Sequence, residues 1–267
     1  MEHLNYCRQI AMLAKAKAQV PSLSEADRRE ALHLMDLCAA SQKFLLPFDG
    51  KLLDDAEFRA LDDSVPLRLP HQLIALEFRG LLGSADRPAE ARRVVFCSED
   101  DDDIFVWPFA WLPENGTWAT KPTLRLPKVG YLDRTNPKDV HFFAAVVGRS
   151  MTPAEAASHD VATLLGFCNA LACSNVRTER SEPKKAGKKI KSALPFDTYN
   201  VLTIDVPGRA VERGGPTGPH RAPREHLRRG HIRRLSDGRR IWVNATVVAA
   251  GRGAGVVKKD YALRLAA

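Results

Sequence analysis

A chain of 267 residues, 45% hydrophobic and 27% charged, is long enough for one large domain or two smaller ones and too rich in apolar residues to be disordered throughout. No stretch approaches the roughly 20 apolar residues of a membrane span, and Met1-Glu2-His3-Leu4-Asn5 lacks the basic and apolar regions of a secretory signal. The net charge of +8 is unevenly held: from Ser181 onward 19 Lys and Arg face 7 Asp and Glu, whereas the first 180 residues carry 21 against 25. A mildly acidic body joined to a strongly basic C-terminal region points to a polyanionic partner.

The five cysteines, Cys7, Cys38, Cys97, Cys168 and Cys173, form no Cys-x-x-Cys pair. That argues against a zinc knuckle and for reduced, buried thiols in a cytoplasmic protein.

In chain order, residues 1–42 predict a helical hairpin. The first helix runs from Glu2 to about Gln19 and ends at Pro21; Ser24 caps the second, with Asp27 three residues on. Residues 43–148 read as β-rich, with strands at Leu73–Phe78, Arg93–Cys97, Ile104–Trp107, Thr123–Leu126 and Phe142–Val147 in an antiparallel sheet. Thr152-Pro153-Ala154-Glu155 is a capping box with proline at the first helical position, opening a helix over 152–173 that covers the sheet. The expected class is therefore α+β, with a body over 1–180 and a basic β module over 181–267. That module opens on a Lys-rich linker at 183–191. Strands follow at Thr198–Asp205, His226–Leu235, Arg240–Ala249 and Val256–Leu265, with a turn at Ser236-Asp237-Gly238.

The densest segment is Pro219–Arg234, with His220, His226, His231 and six arginines in sixteen residues. Arginine offers planar, multidentate donors suited to phosphate. The expected nucleic-acid-binding residues are Arg224, Arg228, Arg229, Arg233 and Arg234 here, with Lys184, Lys185, Lys188 and Lys189 in the linker. Three histidines suggest zinc, but the arginines repel a cation, so no metal and no other cofactor is expected.

Strand alternation places His226 and His231 on opposite faces. A bulge at Gly230 would shift the register by one residue and bring His226, Arg228, His231 and Arg233 together. Those side chains, with Tyr261 as an added donor, would then suit metal-independent RNA cleavage. One imidazole would accept the 2′-OH proton and the other would donate to the leaving oxygen.

Two further features lie in the body. Glu99-Asp100-Asp101-Asp102-Asp103 reads as an exposed turn, open to binding a divalent cation or neutralising the basic region. Phe105, Trp107, Phe109 and Trp111 alternate along one strand, with Trp118 nearby, and read chiefly as core, with stacking on bases as the alternative; Pro108 would confine that strand to a sheet edge.

The block His226-Leu-Arg-Arg-Gly-His231, with Ile241-Trp-Val243 and Val257-Lys-Lys-Asp-Tyr261, resembles the C-terminal signature of a set of uncharacterised phage and prophage proteins. Ala172-Cys-Ser-Asn-Val176 and Thr198–Thr203 resemble it too, so the likeness covers roughly the last hundred residues. The resemblance implies a phage or prophage setting in the host cytoplasm and brings no catalytic residues with it.

The expected function is nucleic-acid binding. RNA is favoured over duplex DNA because no recognition helix carries the arginines. The alternatives are a toxin-like ribonuclease using the paired histidines and an effector binding an acidic host protein surface. No membrane partner is expected.

Overall fold

The structure is a computed structural model that describes residues 4–47, 50–53, 61, 66–82, 89–113, 115–120, 123–130, 153–181, 198–204, 226–228, 231–243, 246–248 and 264–265. Two helices come first, α1 (Tyr6–Ala18) and α2 (Glu25–Ala40). The strands β1 (Gln42–Leu45), β2 (Leu73–Leu82), β3 (Ala89–Glu99), β4 (Asp103–Leu112), β5 (Thr117–Thr120) and β6 (Leu124–Pro127) follow. After α3 (Pro153–Leu171) come β7 (Val176–Ser181), β8 (Tyr199–Ile204), β9 (His226–Arg228), β10 (His231–Arg234), β11 (Arg240–Val243), β12 (Thr246–Val248) and β13 (Arg264–Leu265). The fold is α+β, with the N-terminal helical pair in place. Among the described residues, no helix is long and apolar enough to cross a membrane.

Ser24 caps α2 as its sequence predicts, accepting the Asp27 amide at 3.1 Å, and Glu25 and Asp27 complement the helix dipole in the first turn. The predicted strand at 142–147 and the Thr152 cap lie outside the described residues.

The body sheet departs from the expected antiparallel arrangement. Short turns do make β2, β3, β4 and β5 an antiparallel meander. But β1 pairs in parallel with both β2 and β8, so the sheet is mixed. Parallel neighbours come from distant segments, and local spacing carries no signal for them. Strand β8 also holds β7 antiparallel and β13 parallel, so Tyr199–Ile204 and Arg264–Leu265 belong to the main sheet. The end of the predicted Val256–Leu265 strand thus joins the body.

Alternation along the strands sorts the core into two layers. Phe44, Ile74, Leu76, Phe78, Val95, Cys97, Ile104 and Val106 face α3, meeting Leu164, Leu165 and Phe167. Phe44 meets Phe167 edge-on, with ring centroids 4.9 Å apart. Ala75, Val94, Phe96 and Phe109 face the opposite way, against Tyr6, Cys7, Ile10 and Ala11 of α1 and Cys38 of α2. Gly50, at φ +64°, lies against Phe78; a Cβ there would come within 2.8 Å of the ring. All five cysteines are buried free thiols, and burial pushes the Cys168 thiol up to about 12.

Buried charges tie the layers together. Arg93 of β3 reaches Asp160 of α3 at 3.3 Å, with side chains only 4% and 0% exposed. On the other face, Glu77 of β2 is fully buried beneath the start of α1. Asn5, at the α1 N-cap, has a left-handed backbone and gives no side-chain cap. Glu77 takes over that role from across the fold: Oε2 accepts the Tyr6 amide and Oε1 the Cys7 amide, each at 2.9 Å. The Tyr199 hydroxyl of β8 donates to Oε2 at 2.8 Å and accepts the Asn5 amide at 2.8 Å. Burial, then the Glu77 charge, holds the Tyr199 hydroxyl far above its ordinary range, so it stays a donor.

Replacing Glu77 with Ala strands two amides and a hydroxyl in the interior, each costing about 1–3 kcal/mol. Glu77→Ala is expected to lower unfolding free energy by at least ~3 kcal/mol, and Tyr199→Phe by about 1–2 kcal/mol. In urea titrations the double variant should lose less than the sum of the two; strict additivity would show that the groups act independently.

Candidate nucleic-acid interface

The basic C-terminal segment forms an antiparallel ribbon. Strand β10 pairs with β11 through His231↔Val243, Ile232↔Trp242, Arg233↔Ile241 and Arg234↔Arg240. The turn is the predicted Ser236-Asp237-Gly238, with Gly238 at φ +83°, a conformation that suits a residue without Cβ. Asp237 binds the Arg239 amide at 3.0 Å and Nε at 2.7 Å; these contacts hold its carboxyl below the usual range.

A second, separate two-stranded ladder joins β9 and β12. Strand β9 pairs with β12 through Arg228↔Thr246, Leu227↔Val247 and His226↔Val248. Residues paired in both ladders keep the same offset, because two residues intervene on each strand. The position at which a bulge at Gly230 would act, between the two ladders, lies outside the described residues.

The ribbon is anchored at the end of α3. Asn175 uses both ends of its amide on one residue of β11: Nδ2 donates to the Trp242 carbonyl at 2.9 Å, and Oδ1 accepts the Trp242 amide at 2.7 Å. The Ser174 amide donates to the Arg240 carbonyl at 2.8 Å. Trp242 enters the α3-side core, and Ile232, directly opposite it, packs against the same cluster. With these two facing the body, alternation turns His231, Arg233, Ile241 and Val243 outward.

The arginines cluster at the tip. Arg233, Arg234 and Arg239 are exposed; Arg240 is half-buried and donates through Nη1 to Asn169 Oδ1 at 3.1 Å. Arg234 and Arg240 are direct cross-strand partners. Like charges in that relation destabilise a ladder, by roughly 0.2–1 kcal/mol on the scale of such pairs. Residues 231–243 contain four arginines and one acid, Asp237. Arg239 and Arg240 were missed by sequence reasoning, although their position just after the turn marks them. Asn169 and Asn175 give no sequence signal, because their roles depend on where α3 ends.

Of the predicted site residues, the structure places His231, Arg233 and Arg234 together on β10 and locates His226 and Arg228 on β9. Arg224, Arg229, Lys184, Lys185, Lys188, Lys189 and Tyr261 lie outside the described residues.

The acidic run is the expected β3–β4 turn, and most of its carboxylates are held internally. Glu99 binds Lys128 at 2.7 Å and the Leu69 amide at 2.6 Å; Asp100 Oδ1 accepts the Asp102 and Asp103 amides. Asp103 binds Arg125. Among the described residues, no group of three His, Cys, Asp or Glu side chains is placed to hold a metal ion.

The aromatic strand is interior, and the expectation that Pro108 confines it to an edge is corrected. Strand β4 pairs with β3 on one side, and on the other with β6 at Asp103–Val106 and β5 at Phe109–Leu112. Pro108 pairs with Val95 of β3 and, on the other side, falls in the break between β6 and β5.

Comparison of the chain with protein-family models, curated proteins and solved structures finds no match.

The Asn175 clamp has a direct test. Asn175→Ala leaves the Trp242 amide and carbonyl without that partner, which is expected to cost about 1–3 kcal/mol. Amide exchange at 240–243 should accelerate while that of α1 stays unchanged; equal rates in both proteins would mean that Trp242 burial alone holds the ribbon.

Proposed function

We propose that this chain is a nucleic-acid-binding protein of phage or prophage type that meets phosphate through its C-terminal Arg/His ribbon, with RNA favoured over duplex DNA. The observation that carries the reading is the arginine tip on an anchored support. Arg234 and Arg240 face each other across one ladder, with Arg233 and Arg239 exposed beside them. Such crowding of like charge is relieved when an anion sits between the guanidiniums, and phosphate oxygens suit their planar donors. The surplus of +12 from Ser181 onward extends the same attraction, with Arg224, Arg228, Arg229 and the lysines at 184–191 as further phosphate contacts.

RNA is preferred on physical grounds. The arginines sit on a β-ribbon, and no described helix presents a comparable row for a major groove. The paired-histidine ribonuclease stays as the alternative, and cleavage of the RNA strand in EDTA that is lost in His231→Ala would favour it. An effector docking on an acidic protein remains as an outcome of the binding test.

Binding of labelled oligouridine, followed by fluorescence anisotropy over a salt series, tests the proposal. Affinity should fall linearly on a log–log plot, with a slope of about −0.7 for each phosphate contacted. The Arg233→Glu/Arg234→Glu variant should bind at least ~10-fold more weakly at low salt and show a shallower slope. A salt-insensitive parent, or a variant equal to the parent, would remove the phosphate reading from this ribbon. Absence of binding to both RNA and duplex DNA would favour the acidic protein partner.

A further inference from the structure

Among the described residues, the sheet face that carries α1 and α2 holds a row of partly buried aromatic rings, of which Trp107 and Trp118 pack against the α1 cluster on one side. Phe105, Trp107 and Trp111 lie on this face of β4, and Trp118 of β5 is the cross-strand partner of Trp111. All four are half-buried, in contrast with Phe44, Phe78 and Phe96, which are sealed in the core. Phe109, within the same row, is buried and meets Phe96 edge-on at 5.4 Å.

The rings are ordered. Phe105 and Trp107 lie 6.1 Å apart with planes only 22° from parallel, and Trp118 lies 5.9 Å from Trp111. Same-face residues on a strand repeat at roughly 6.6 Å, close to twice the ~3.4 Å step between stacked bases. One base per ring is therefore a geometric match. A cation stands at each end of the row. The Arg92 guanidinium lies 5.3 Å over the Trp111 ring. Arg125, opposite Phe105 across the β4–β6 ladder, keeps 46% of its side chain exposed while Asp103 orients its guanidinium.

We propose that this aromatic row stacks the bases of a single-stranded nucleic acid, with Arg92 and Arg125 meeting its backbone at either end. The proposal rests on the nucleic-acid reading and adds base contacts on the sheet face opposite the α3 side, where the ribbon is anchored. The occupant follows from complementarity: flat apolar rings suit base faces, the flanking guanidiniums suit phosphate, and stacking of this kind tolerates any sequence.

The test compares oligouridine with its abasic counterpart, equal in length and charge. The parent should bind the base-bearing strand ~10-fold or more tightly than the abasic one, with quenching of tryptophan fluorescence. Trp107→Leu should erase most of that ratio while leaving abasic affinity and the salt slope unchanged. A melting curve confirms that the variant folds, and Trp111→Leu serves in its place if it does not. Equal parent affinity for the two strands, or a variant that keeps the ratio, overturns base stacking and leaves phosphate binding by the ribbon standing. Failure of both strands to bind the parent overturns both proposals.

Discussion

A carboxylate in the interior holds this fold together. Glu77 is fully buried on β2, a central strand, and both its oxygens are engaged by the start of α1 and the hydroxyl of Tyr199. A buried charge is costly unless hydrogen bonds and opposite potential surround it. Here the positive end of α1 supplies the potential, and two amides supply the bonds. The same contact joins three segments remote in sequence. It seats the helical pair on the sheet and fixes the parallel neighbourhood of β8, β1 and β2. Arg93–Asp160 does the equivalent for α3 on the opposite face.

These constraints decide what the C-terminal ribbon can do. The seated α3 ends at Leu171, and Ser174 and Asn175 just beyond it grip β11. The body-facing side of the ribbon is thereby committed to Ile232 and Trp242, which leaves His231 and Arg233 outward and the arginine tip in solvent. Crowded like charge on a firm support lowers ladder stability, and an anionic partner offsets that cost. Anchoring by Asn175 is what turns a basic sequence into a fixed arrangement of donors.

Much of the local structure was legible from the sequence. Ser24 and Asp27 announced α2, Pro153 announced α3, and Ser236-Asp237-Gly238 announced the ribbon's turn, because each acts on neighbouring backbone. Strand β1 was not legible, being four residues long with the buried Lys43 at its centre. Strand β7, Val-Arg-Thr-Glu-Arg-Ser, is absent from the strands the sequence predicts, and its pairing with β8 makes it one. Glu77 passes in sequence for a solvent-facing position, since its partners lie about seventy residues earlier and more than a hundred later. The candidate site divides the same way. Arg233 and Arg234 stood out by composition, whereas the cross-strand meeting of Arg234 with Arg240 and the Asn175 clamp depend on tertiary register.

The most direct measurement of the central claim is amide hydrogen exchange on the full chain, with and without saturating oligouridine. The account predicts slowed exchange across 231–243 with RNA bound. Bound RNA with exchange across 231–243 unaltered would contradict it.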